Sequence, residues 1–143
     1  VYKILFVDRT NTLVSQLAKA MAIKAFPESG IFHSAGWAPE AAIDPALERI
    51  ADTLGLDTED FEVREFSDLT QSPAKYHVIV TLVPTEDVEL PQIPFHSILQ
   101  NWNLGPRPEG DQEAMDARLD ELSRDLRAHI RDLMVTLRGE DAN

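Results

Sequence analysis

The 143 residues are enough for one domain, read as a single unit over 1–143. Thirteen basic side chains against 25 acidic ones give a formal charge of −12, which excludes the basic face that nucleic acid requires and disfavours an anionic membrane surface. Cysteine is absent, so disulfides, thiolate metal sites and cysteine nucleophiles are excluded.

In chain order, Ile4-Leu5-Phe6-Val7 is a short apolar run suited to a strand buried on both faces. Polar residues follow from Asp8 to Thr12, and then Leu13, Leu17, Ala20 and Met21 mark a helical face ending before Pro27. A second strand is predicted over Gly30 to Gly36. Asp44-Pro45 opens a helix, with Asp as cap and Pro at its first position, and Gly55 stops it. Residues 57–68 carry six acids against Arg64 alone and read as a solvated connector. Val78 to Leu82 is a third buried strand, and Phe95 to Leu99 a weaker fourth after Pro91 and Pro94. From Glu109 to Arg138, Met115, Leu119, Leu122, Leu126, Ile130, Leu133 and Leu137 recur at helical steps. Asp120 and Arg124 are placed to pair across one turn of it. Alternating strands and helices predict a three-layer α/β sandwich with a four-stranded, mostly parallel sheet. No secretory signal and no apolar run of about 18 residues is found, so a soluble, cytoplasmic protein is expected. His33, His77, His96 and His129 are scattered and predict no metal site, and no cofactor is expected.

A buried strand running through a polar loop into a helix is a ready anion site, because converging backbone N–H groups and the helix N-terminus favour negative charge. Here that segment is Asp8-Arg9-Thr10-Asn11-Thr12-Leu13-Val14-Ser15. It resembles the phosphate loop of the low-molecular-weight protein tyrosine phosphatases and the related thioredoxin-linked arsenate reductases, in which a strand leads into Cys-x5-Arg-Ser and a helix. Asn11 and Ser15 match that loop's Asn and Ser. Ser34-Ala35-Gly36, Asp44-Pro45 through Gly55-Leu56-Asp57, and Asn101 to Pro106 match later family features, so the resemblance spans almost the whole chain. It implies the strand order 2-1-3-4.

The departures fall on the chemistry. Asp8 stands at the position of the nucleophilic Cys, Val14 at that of the phosphate-binding Arg, and Gly105 at that of the general acid. Loss of a general acid alone costs about 10²–10⁴ in rate. Loss of an arginine that neutralises a phosphoryl transition state costs about 10³–10⁵. The resemblance therefore predicts an inactive member, a pseudophosphatase with a regulatory or protein-binding role and no catalytic residue. Asp8 is expected to fill the loop as a built-in anion, with a pKa depressed by the N–H groups around it.

Two alternatives stand beside this reading. The same segment resembles the first motif of the haloacid-dehalogenase superfamily, which would make Asp8 a nucleophile in a Mg²⁺-requiring phosphatase or phosphotransferase. Thr81 and Gly110-Asp111 with Asp116 would then serve as later motifs, but no lysine follows Lys75 for the third. Alternatively, the loop binds a small anion without hydrolysing it. For a binding role, the expected rim is Arg9, Thr10, Thr12, Trp37, Trp102 and Asn103, since tryptophan and arginine are enriched at interaction hot spots. The charge predicts a protein partner with a basic face, and a homodimer is a further possibility.

Overall fold

The computed structural model describes residues 1–70 and 76–142, so Lys75 lies outside the described residues. The elements are β1 (Tyr2–Asp8), α1 (Val14–Ala25), β2 (Gly30–Gly36), α2 (Pro45–Leu54), α3 (Phe66–Thr70), β3 (Val78–Thr81), a 3₁₀ turn (Thr85–Asp87), β4 (Ile98–Asn101) and α4 (Gln112–Ala142). The four strands form one sheet in the order β2-β1-β3-β4, and every pairing is parallel. This is the expected topology.

The central strand reads as the sequence implied. Ile4, Leu5, Phe6 and Val7 are all fully buried, because β1 has a strand on each side and side chains covered on both faces. Ile4, Phe6, Val78 and Val80 face α1, α2 and α4, where Leu17, Leu47, Leu119, Leu126 and Met134 complete the larger core. Leu5, Val7, Ala35 and Ile79 face the other way, onto Phe66 of the five-residue α3 and loop residues such as Ile93. Among the described residues the third layer is therefore thin: long helices cover one face, and a single helical turn with loops covers the other.

Helix boundaries follow local chemistry. The Asp44 carboxylate accepts from the Ala46 amide at 2.9 Å with Pro45 at the first position, and Gly55 closes α2 with φ 67°. Asp111 caps α4 by accepting from the Ala114 amide at 2.9 Å, so the helix begins three residues later than the pattern from Glu109 suggested. The fourth strand also starts later than predicted. The Ser97 amide bonds to the Pro94 carbonyl at 3.1 Å, which turns Phe95 and His96 out of the sheet. Asp120 and Arg124 pair as expected.

The acidic connector presents a solvated face, as expected, and does more besides. Its six acids are exposed, but its backbone is not merely solvated. Glu65 makes a parallel bridge with Gly36, and the Arg64 carbonyl accepts from the Gly36 amide at 2.9 Å. The connector thus lies beside the end of β2, against the loop after β1.

Candidate functional site

The loop between β1 and α1 is shaped by where its carbonyls point. Those of Asp8, Arg9, Thr10 and Thr12 accept from the amides of Trp37, Ala38, Glu40 and Asp44, at 3.3, 2.8, 3.2 and 2.9 Å. In a trans peptide the following N–H points the opposite way. The amides of Arg9, Thr10, Asn11 and Leu13 are therefore turned toward the inside of the loop. Asn11 takes a left-handed conformation, φ 57°, which asparagine tolerates better than most residues. Gly36 is required here for space. A Cβ on it would lie 2.6 Å from the Arg9 carbonyl oxygen and 2.9 Å from the Asn11 nitrogen.

The Asp8 carboxylate sits within this ring. Its Oδ1 accepts from the Asn11 amide at 2.7 Å and from the Ser15 hydroxyl at 2.9 Å, and its Oδ2 accepts from the Ser15 amide at 3.0 Å. Ser15 is the second residue of α1, and Leu13, which precedes the helix, makes no side-chain cap bond. Asp8 therefore performs the capping role from seven residues away, where the helix dipole favours negative charge. The Asp8 carboxyl thus lies inside the loop, where the sequence reading put it. A shell of buried amides fixes it: Asn11 Nδ2 donates to Ser15 Oγ at 2.8 Å, and Asn11 Oδ1 accepts from the Arg64 amide at 2.8 Å. Gln16 Nε2 ties Asn11 to the Glu62 carbonyl, which it reaches at 2.7 Å.

The expected pKa direction is overturned. Burial pushes the Asp8 carboxyl above its ordinary value, and the bonds from Asn11 and Ser15 and the positive charge of Arg107 oppose that shift without reversing it. The N–H count alone misjudged the balance, because only 6% of Asp8 remains exposed and desolvation penalises its charge.

Arg107 is the residue the sequence reading missed. It follows Gly105-Pro106, and its guanidinium donates to Thr10 Oγ1 at 2.8 Å and to Thr12 Oγ1 at 3.1 Å, with Asp44 Oδ2 at 3.8 Å. Thr10 and Thr12 share a hydrogen bond of 2.8 Å beneath it. A cation two residues beyond Gly105 was the available signal.

These groups border a cavity of about 350 Å³. Val14, Leu104 and Leu122 give it apolar walls, and Asp8, Arg9 and Arg107 bring charge to it. Asp87 and Glu89 also line it, and Glu89 pairs with Arg9 at 3.4 Å. Gly105 lines it with φ 87°, its neighbours' carbonyls held by Arg118.

The expected rim is only partly assembled. Arg9, Thr10 and Trp37 line the cavity, and the buried indole N–H of Trp37 has no partner among the described residues. Thr12 is buried beneath Arg107, and Leu13 is fully buried. Trp102 is not on the rim. It is 7% exposed, packs on Phe6 at 5.9 Å and on His129 at 5.1 Å, and donates to Gln100 Oε1 at 3.1 Å. Its indole completes the core beneath β4, the larger apolar gain for so large a ring. Asn103 is exposed and accepts from the Gly105 amide at 3.2 Å, outside the cavity lining.

The acidic residues of the haloacid-dehalogenase reading are engaged elsewhere. Asp111 caps α4, and Asp116 pairs with Arg49 at 3.1 Å. Thr81 is buried and accepts from Asn101 Nδ2 at 2.7 Å. Among the described residues no three His, Asp or Glu side chains are grouped to hold a metal ion, and no helix is long and apolar enough to cross a membrane.

No protein-family model matches the chain, and no curated protein does. Solved structures do. The thioredoxin-dependent arsenate reductase of Corynebacterium glutamicum superposes with a TM-score of 0.73 at 20% identity, over 98% of this chain and 63% of that one. The chain thus spans less than two thirds of that reductase. An arsenate reductase in a phosphate-binding state gives 0.78 at 17% identity, over 95% and 98% of the two chains. The tyrosine phosphatase Wzb from Escherichia coli K30, in complex with sulphate, gives 0.68 at 17% identity, over 92% and 97%. The fold is that shared by arsenate reductases and low-molecular-weight tyrosine phosphatases.

Proposed function

We propose that this protein is a pseudophosphatase, a low-molecular-weight-phosphatase-like domain that regulates or scaffolds through binding and not through turnover. The observation carrying this reading is the Asp8 carboxylate, held by three hydrogen bonds inside the loop. It occupies the place a thiolate would need, repels an incoming phosphate when charged, and already takes the Asn11 and Ser15 amides. Val14 brings an apolar wall where the family's guanidinium would stand. Gly105 brings no proton. A protein partner with a basic face fits the acids Asp87 and Glu89 at the cavity, beside the half-buried Trp37.

The decisive measurement is turnover of an aryl phosphate and of arsenate, with and without Mg²⁺. None above background is expected. Activity that vanishes in Asp8→Asn would overturn the proposal in favour of an Asp8 phosphoenzyme, which beryllium fluoride with Mg²⁺ would trap. Asp8→Cys with Val14→Arg, and then Gly105→Asp in addition, tests how much of the machinery survives around the lost groups.

A second reading, an anion sensor, is favoured by one specific arrangement. The Thr10 and Leu13 amides face inward without an acceptor among the described residues, and Arg107 spans the two threonines above them. Phosphate or sulfate titration tests it, with binding expected to tighten as Asp8 takes up a proton. Titration curves unchanged by Arg107→Ala would remove it.

A further inference from the structure

The opposite end of α1 borders a second cavity, of about 400 Å³. Its floor is apolar, made by Met21, Phe26, Leu54, Leu56 and Ile130. Its charged lining is Lys24, Arg127 and Arg131, with no acid. In a chain with 25 acids and 13 bases, an average lining would carry about two acids for each base, so three bases and no acid is a concentration of charge against the trend.

These cations are also poorly neutralised. Lys24 Nζ donates to the Leu54 and Gly55 carbonyls at 2.8 and 3.3 Å, covering the C-terminus of α2, and makes no ion pair among the described residues. That contact answers the negative helix end that would otherwise repel an anion here. Arg127 makes no ion pair or hydrogen bond with another described side chain. Arg131 meets only its neighbour Asp132, at 3.4 Å with both side chains largely exposed, a contact worth little in water. Arg127 and Arg131 stand four residues apart on α4 and therefore flank Ile130 on one face. Two guanidiniums beside an apolar floor, in a volume typical of small-molecule sites, match a ligand with an anionic head and an apolar body.

We propose that this cavity binds a small amphipathic anion, its acyl or aryl body on the Met21–Leu56–Ile130 floor and its carboxylate or phosphate head on Arg127 and Arg131. The site is separate from the Asp8 loop and does not rest on the pseudophosphatase reading. Calorimetric titration of the full chain below micellar concentrations tests it with four probes: decanoate, decyl phosphate, the uncharged decanol, and acetate. Either charged decyl probe should bind at least tenfold more tightly than decanol, and acetate should not bind. The tighter of the two charged probes identifies the head. Arg127→Gln with Arg131→Gln should weaken the charged probes at least tenfold while leaving the melting temperature and decanol binding unchanged. Decanol binding as tightly as both charged decyl probes, unchanged affinity in the double variant, or amide shifts that map to the Asp8 loop and not to α4 would each overturn the proposal.

Discussion

The two ends of α1 solve opposite electrostatic problems. At the N-terminal end, backbone amides converge and the chain supplies its own anion, Asp8, from the strand before. At the C-terminal end, carbonyls converge from α2, and the chain supplies cations, Lys24 with Arg127 and Arg131 nearby. The first end is closed on itself, its acid buried and hydrogen-bonded on both oxygens. The second is answered by side chains that stay near the surface and keep charge to spare. A charge that caps a helix from inside the core is committed to the fold, whereas one that caps it from the rim remains available to a ligand.

The comparison can be broken most severely at the closed end. Gly36→Ala drives a Cβ into the Arg9 carbonyl and the Asn11 nitrogen, neither of which is the end of a flexible side chain. A loss of about 1–3 kcal/mol in denaturant unfolding is expected, the usual cost of overpacking. Gly139→Ala, which meets nothing within 4 Å, is the control and should not destabilise. Next comes Asp44→Ala, which removes the α2 cap and the carboxylate beside Arg107. About 1 kcal/mol is expected from the cap, read by the same unfolding curves.

Asp8→Asn sharpens the contrast through pH. Because burial raises the native carboxyl above its ordinary value, between the two pKa values the folded protein holds a proton that the unfolded chain has released. Stability from this group is present below the unfolded pKa and is lost as pH rises through the folded one. The variant should therefore flatten the decline in melting temperature from acid toward neutral pH. A wild-type curve that rises over this range at Asp8 would show the hydrogen bonds prevailing over burial. The smallest effect belongs to the open end. Lys24→Ala should cost about 0.3–1 kcal/mol, the value of a cation at a helix terminus, and the loss should shrink in high salt.

Much of this was legible in the residues themselves. Four buried side chains in a row announce a central strand, and Asp44-Pro45 with Gly55 brackets α2 correctly. Asn11 and Ser15 were picked out by the family resemblance, and their roles are local, within seven residues of Asp8. What eluded the sequence is non-local. Arg107 reaches the loop across 97 residues, and only its place two residues beyond Gly105 hints at that path. Trp102 was assigned to a surface because tryptophan serves cores and interfaces alike, and only the packing on Phe6 decides. The pKa of Asp8 failed for a related reason, since burial is a property of everything around a residue.

The segment from Trp37 to Asp44 looks like ordinary coil, yet four of its amides are stitched to the carbonyls of the Asp8 loop. In hydrogen exchange these amides should form a slow island in otherwise irregular chain, opening together with the loop and not one at a time. The floor of the first cavity is then expected to open only together with this segment. Whatever docks there meets a surface ordered in advance, and little conformational entropy is left for binding to remove.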